Sequence, residues 1–412
     1  MTHSPPSHRR LLITLGALYL AQGVPGGYAM IALPAILTTR GMGLASLGLL
    51  GITLLPWVLK GLWAPWLDNR NPPLFARCGR RVGWIFCCQA VSIPAFAAIA
   101  WLDPIGQYPM LLSSLIVVNT LFATQDIAVD ALAVNTLRDH GWLGANAVQT
   151  SGFSLGMLIG GSTALVLVEG LGFRATTFTL ALLPLCALLP LATVWRHFAQ
   201  MSASAGGASI LTFLRQPYTP ALIVLVLAYK LPAMLGHSLI NPLLVKQGAP
   251  FWLISVTSAT LVAIIATVVA HAAPRTCATY GVPRTIGALV ALTGSSWAAL
   301  GLSMLAGKGS IPVTIAMNGF AYAAIVMATV PMYALFMSLA SANSAGTDYT
   351  LCYSIEALAN LLAMTLSGLL AQSIGFAPTF LIAGAAGMLV SPWIFRRLQR
   401  PLAQIHPAAT QT

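Results

Sequence analysis

The chain has 412 residues, of which 58% are hydrophobic and only 7% charged, with a mean hydropathy of +0.83. That composition excludes a water-soluble domain, in which about a quarter of the residues are charged, and marks a polytopic membrane protein. The net charge of +12 is spread along the chain rather than gathered on one module, which argues against nucleic-acid binding and for a topology signal.

Apolar stretches of about 20 residues cross a bilayer, and twelve are read between Gly, Pro and charge clusters. In chain order they cover 11–38, 46–67, 84–101, 109–134, 146–169, 175–195, 218–245, 252–271, 285–306, 310–338, 347–371 and 376–395. The start from His3 to Arg10 is basic, but the first stretch is too long for a signal-peptide core and is retained as a helix. Fourteen arginines, among them Arg138, fall on one side of this layout, and only Arg40, Arg174, Lys246 and Lys308 fall on the other. The bias of basic residues toward the cytoplasm places both termini there.

The chain divides into two six-helix bundles, 1–195 and 218–395, joined by a linker over 196–217 that contains MSASAGGAS and followed by a basic tail over 396–412. A weak repeat supports the division. The first stretch carries AQGVP with Pro25 and Pro34, and the seventh carries AYKLP with Pro232 and Pro242. Helices interrupted at corresponding places in two halves point to a substrate site between them.

The chain has only eight acidic residues, and Asp126 and Asp130 both lie in the apolar run LFATQDIAVDALAV (121–134). They are four residues apart, so they share one helix face, and burying either costs at least about 2.5–3.5 kcal/mol. Two readings stand. In one, Lys60 neutralises them and locks the second and fourth helices together. In the other, mutual repulsion raises one carboxyl's proton affinity, so that Asp126 takes up and releases a proton while Asp130 anchors the cytoplasmic end. Lys230 is the matching intramembrane cation on the interrupted seventh helix, with Glu356 as its partner in the empty state, and His237 reads as a hydrogen-bonded interface residue.

Other features read as architecture. Gly152, Gly156 and Gly160 permit close helix packing. Trp57, Trp63 and Trp66 pack or anchor the second helix. The six cysteines, including Cys87, Cys88, Cys186 and Cys352, read as small buried apolar side chains without disulfides, and no spacing suggests a metal or cofactor.

The loop after the second helix, with Asp68, Arg70, Gly79, Arg80 and Arg81, resembles the loop motif of the major facilitator superfamily, although it lacks the leading glycine. LPWVLKGLWAPWLD (55–68), ATQDIAVDALAV (123–134), LGANAVQTSGFSLGMLIGG (143–161) and LAYKL (227–231) resemble the branch that holds muropeptide permeases, acetyl-CoA transporters and siderophore permeases of the rhizobactin and pyochelin type. The resemblance implies an all-α major facilitator fold of twelve helices in two pseudo-symmetric bundles. The run AQGVPGGYAMIALPAIL is most similar to permeases for ferric pyochelin, which implies import of a ferric siderophore across a bacterial inner membrane. A muropeptide permease or a small-molecule efflux transporter is the alternative, and Met157 stands where efflux antiporters of the superfamily carry a proline.

The expected mechanism is alternating access around a site with polar candidates Gln22, Tyr28, Asn119, Lys230 and Asn318. Proton coupling falls to Asp126, Asp130 and Glu356, and charge pairing or gating to Lys60, Asp68, Arg70, Arg80 and Arg81. The expected partners are a small-molecule substrate and the lipid bilayer. No GxxxxGK[ST] sequence occurs, so no ATPase subunit is required. No HExxH, GxSxG or clustered His/Asp pair supports an enzyme.

Overall fold

A computed structural model describes residues 6–43, 46–47, 49–137, 141–200 and 207–405. Arg138, the centre of the expected linker (201–206) and the end of the expected tail (406–412) lie outside the described residues. Ten helical stretches among the described residues are long and apolar enough to cross a membrane. They are α1 (His8–Thr39), α3 (Arg80–Trp101), α4 (Tyr108–Thr136), the pair within Trp142–Ala199, α7 (Thr219–Lys246), α8 (Trp252–Tyr280), α9 (Val282–Leu305), α10 (Ile311–Leu339), α11 (Ala345–Ile374) and α12 (Phe376–Leu398). The Trp142–Ala199 stretch is divided at Gly172, whose φ of 79° leaves the helical region, giving α5 (142–171) and α6 (173–199). The shorter α2 (Leu49–Leu62) completes the set. The protein is an all-α, multi-pass membrane protein.

The expected continuous helix over 46–67 is instead a chain of short turns. A 3₁₀ segment (Leu49–Leu54) leads into α-helix (Leu55–Leu59), a second 3₁₀ turn (Lys60–Leu62) and a last α-helical turn (Ala64–Asn69). Pro56 and Pro65 remove two backbone donors and clash with the carbonyls four residues earlier, so the regular ladder cannot form. Lys60 is carried by the tight turn that results. The same physics interrupts α1 and α7. Around Pro34, α1 widens into a π-helical turn at Tyr28–Ala32, closed by the Leu33 N–H on the Tyr28 carbonyl. α7 breaks at Ser238 and Leu239, where Pro242 cannot donate to the Ser238 carbonyl.

Two compact units are defined by their internal contacts: Met1–Phe213 with Phe336–Ser354, and Leu214–Leu335 with Ile355–Thr412. In the first, α1 and α5 meet backbone to backbone along a glycine seam. A Cβ on Gly156 would stand 2.1 Å from the Leu20 carbonyl oxygen, one on Gly160 1.9 Å from that of Val24, and one on Gly23 2.2 Å from that of Phe153. Only glycine fits there, which is the close packing expected of the 152/156/160 stripe. Tyr28, Phe96, Leu115, Phe122 and Leu180 fill the core beside it.

In the second unit α9 and α12 make the analogous seam, with a Cβ on Gly294 2.8 Å from the Gly384 carbonyl oxygen. Trp297 on α9 lies against Gly236 on α7 and packs with Phe380. Two cysteines depart from expectation: Cys186 on α6 is exposed and Cys78 half-buried, whereas Cys87, Cys88, Cys277 and Cys352 are buried.

Candidate functional site

The first unit gathers its charges where α2 is broken. The indole of α2 and that of the residue just after it fix the segment to α4, Trp57 Nε1 donating to Asn119 Oδ1 (2.9 Å) and Trp63 Nε1 to Thr124 Oγ1 (3.1 Å). This brings Lys60 to the acidic face of α4. Its ammonium donates to Asp126 Oδ2 and lies 3.7 Å from Asp130 Oδ2. All three side chains are buried, Lys60 and Asp130 completely. The Lys60 ammonium also sits over the Tyr353 ring, 4.1 Å from its centroid, which supplies a further cation–π attraction.

The two carboxylates have different surroundings. Asp126 is held by Lys60. Asp130 Oδ1 accepts from the Tyr19 hydroxyl (2.8 Å) and from Gln149 Nε2 (3.2 Å), and Gln149 Oε1 accepts in turn from the Tyr349 hydroxyl (3.0 Å). Asp130 Oδ2 receives no hydrogen bond.

In the second unit the Lys230 ammonium meets Glu356 Oε1 at 2.5 Å, with the Tyr333 hydroxyl 3.5 Å from the same oxygen and the Tyr229 hydroxyl 3.5 Å from Lys230. Glu356 Oε2 receives no hydrogen bond. Lys230 and Glu356 are thus brought together as their charges require. His237 lies nearby in sequence on α7, its Nδ1 3.1 Å from Asn318 Oδ1 and its ring stacked on Tyr322.

The loop cluster is built separately, at the end of α2. Asp68 Oδ2 accepts from both the backbone N–H (2.6 Å) and the hydroxyl (2.9 Å) of Thr347, in the first turn of α11, so it caps that helix from a distant part of the chain. Burial pushes the Asp68 carboxyl above the usual carboxylate range, opposed by the Arg81 guanidinium and the two Thr347 donors. Buried Arg81 donates to the carbonyls of Ala131 (3.0 Å) and Ala342 (3.4 Å), tying α3 to α4 and to the turn before α11. Arg80 is buried beside it, while Arg70 is exposed and stands apart.

The polar substrate candidates separate into two kinds. Asn119 has both ends of its amide engaged, by Trp57 and by the Leu115 carbonyl (3.0 Å). Tyr28 bonds Thr177 (2.6 Å) and packs its ring on Phe96, within the core. Asn318 is committed through its oxygen to His237. Gln22, by contrast, is fully buried and neither amide atom has a partner. Sequence reasoning did not single out Tyr19, Gln149, Tyr349 or Tyr353. The one available signal was Gln149, an amide three residues from Gly152 and so on the face of the glycine stripe.

Residues 11–107 match the family described as acetyl-coenzyme A transporter 1. The anhydromuropeptide permease of Escherichia coli K12 is 31% identical over 174 residues, which is 42% of this chain and 34% of that one. A putative transporter, AmpG 4, of Rickettsia felis is 28% identical over 185 residues, 44% of this chain and 45% of that one. The chain therefore spans less than half the length of these curated relatives.

Solved structures match nearly end to end. A bacterial homologue of the iron transporter ferroportin, in an outward-facing state, has a TM-score of 0.70 at 16% identity and covers 95% of this chain and 99% of its own. A human organic anion transporter gives 0.70 at 17%, covering 95% and 100%, and a proton:xylose symporter of the major facilitator superfamily gives 0.66 at 16%, covering 95% and 96%. The chain has the major facilitator fold.

Proposed function

We propose that the protein is a secondary transporter that imports an anhydromuropeptide-like solute by alternating access, driven by protons. The observation that carries the reading is the buried Lys60, Asp126 and Asp130 cluster. One ammonium faces two carboxylates in a buried site, leaving one negative charge unmatched, and isolated buried charge is too costly to keep. A single proton balances the count. It belongs on Asp130, because Asp126 is already engaged by Lys60 while Asp130 Oδ2 has no donor. The roles expected for the two residues are thereby exchanged, with Asp126 as the fixed partner and Asp130 as the proton carrier.

Lys230 gives the cargo an anchor. A carboxylate on a peptide stem can replace Glu356 as its counter-ion, and the released Glu356 then takes a proton or another partner. The muropeptide class is favoured by the likeness to the anhydromuropeptide permease of Escherichia coli. The expected ferric siderophore rests on the α1 run alone, and these likenesses lend it no support.

The test is uptake of labelled anhydromuropeptide and of labelled ferric pyochelin by cells that lack their own permeases, with and without a protonophore. Protonophore-sensitive accumulation of the muropeptide is expected, and it should be lost on Asp130→Asn. Accumulation of neither solute above cells without the protein would end the proposal, and uptake of ferric pyochelin alone would restore the siderophore reading.

A further inference from the structure

The second unit has nine basic residues and a single acid. That acid, Glu356, is spent on Lys230. The remaining arginines and lysines of the unit have no acidic side chain within it to face. At one place this charge borders a cavity. A groove of about 360 Å³ opens on the surface between the start of α7 and the end of α12, lined by Pro217, Pro220, Ala221, Val224, Trp393 and Arg397.

Val224 and Ala221 form an apolar wall, and Val224 is 51% exposed. Trp393 and Arg397 lie four residues apart on α12 and so share one face, Trp393 one turn before Arg397. Arg215 and Arg396, both exposed, flank it in sequence. An apolar floor, an amphipathic indole and a cation match the membrane interface, where acyl chain gives way to headgroup. Free phosphate would use only the last of these three features.

We propose that this groove is a binding site for an anionic glycerophospholipid of the leaflet that faces Arg396 and Arg397, with its phosphate on Arg397 and an acyl chain along Val224. This site is separate from the buried charge clusters and does not depend on the identity of the cargo.

The experiment uses the full chain in nanodiscs of phosphatidylcholine containing phosphatidylglycerol, with retained lipid counted by native mass spectrometry. Phosphatidylglycerol should be retained in excess of its share of the bilayer. Arg397→Gln should lower that excess about five-fold, the effect of one basic residue at an anionic surface. Val224→Trp, which fills the apolar part and leaves every charge in place, should lower it comparably, while Arg284→Gln, an exposed arginine elsewhere on the unit, should not. Retention in the bulk ratio would overturn the proposal, as would equal losses in Arg397→Gln and Arg284→Gln. Displacement of the lipid by millimolar inorganic phosphate would overturn it too, by showing a site for a free anion. Size-exclusion profiles matching the parent chain confirm that each variant is folded.

Discussion

Replacing Lys60 by methionine keeps the side chain's length and removes its charge, which isolates the charge count of the first cluster. In the parent chain one ammonium is engaged with Asp126 and lies 3.7 Å from Asp130; on the proposed reading it balances one carboxylate and a proton balances the other. Without it two carboxylates one helical turn apart are left in a site where Lys60 and Asp130 are completely buried. Removing one partner of a buried pair costs about 3–5 kcal/mol. For a folded body of 150–250 residues each kcal/mol moves the melting point by about 2–4 °C, so a loss of about 6–20 °C is expected.

The same count predicts the companions. Asp130→Asn leaves one ammonium and one carboxylate, an already neutral cluster, and should melt close to the parent while losing its proton step. Lys60→Met combined with Asp126→Asn leaves a single carboxyl that one proton neutralises, and it should recover most of the loss. The deficit of Lys60→Met should also shrink as pH falls, because each proton taken up removes an unmatched charge. Melting of purified protein in detergent at pH 5 and pH 8, followed by size-exclusion fluorescence, reads all of these. The charge-count reasoning is refuted if Lys60→Met melts within about 2 °C of the parent, or if Asp130→Asn is as destabilised as Lys60→Met.

Four further outcomes follow from the geometry. Gly156→Ala would put a Cβ 2.1 Å from the Leu20 carbonyl and force α1 and α5 apart, at a cost of at least about 1–3 kcal/mol in melting experiments. Gly144→Ala, with nothing within 4 Å, should be neutral or slightly stabilising. Asp68→Ala removes the cap on α11, a loss of about 0.5–2 kcal/mol, and should raise hydrogen exchange at the Thr347 to Tyr349 amides while leaving exchange in α9 unchanged. Lys230→Gln should melt well below the parent because it leaves Glu356 buried without its cation, and Lys230→Gln with Glu356→Gln should restore the melting point but not uptake.

The features legible in the sequence are those where one residue type carries an unavoidable cost. A buried carboxylate has to find a cation, so Lys60 with Asp126 and Lys230 with Glu356 could be paired before any coordinates. A proline removes one ladder donor, so the interruptions of α1 and α7 were legible at Pro34 and Pro242, whereas Pro25 and Pro232 of the same motifs sit inside continuous helix. Pro56 and Pro65 carried the same message for α2, but the apolar run around them reads as an unbroken span when only its length is considered.

What escaped was set by contacts between residues far apart in the chain. Tyr19 reaches Asp130 across 111 positions, and Tyr349 reaches Gln149 across 200. Nothing local to either tyrosine says so. Asn119 and Tyr28 show the opposite difficulty: a polar group in a membrane helix suits a substrate and a neighbouring helix equally well, and these two bond Trp57 and Thr177.

The same asymmetry governs what the acidic pair on α4 can say about cargo. Its energetics depend on how many charges are buried and on which atoms face them, and these are identical whatever solute the protein carries. On the proposed reading, the Lys60, Asp126 and Asp130 cluster therefore bears on how transport is driven, through the proton it needs for neutrality. Selectivity has to come from groups whose hydrogen-bonding capacity is still unspent. Among the candidates described, those are Gln22, with both amide atoms unpartnered, and Lys230, whose counter-ion can be exchanged. Substituting Gln22 by Leu should therefore change which solute is taken up, or its KM, while leaving the protonophore sensitivity of whatever uptake remains. If Gln22→Leu abolished proton coupling and left solute preference intact, the division of labour between driving and selecting groups would be wrong.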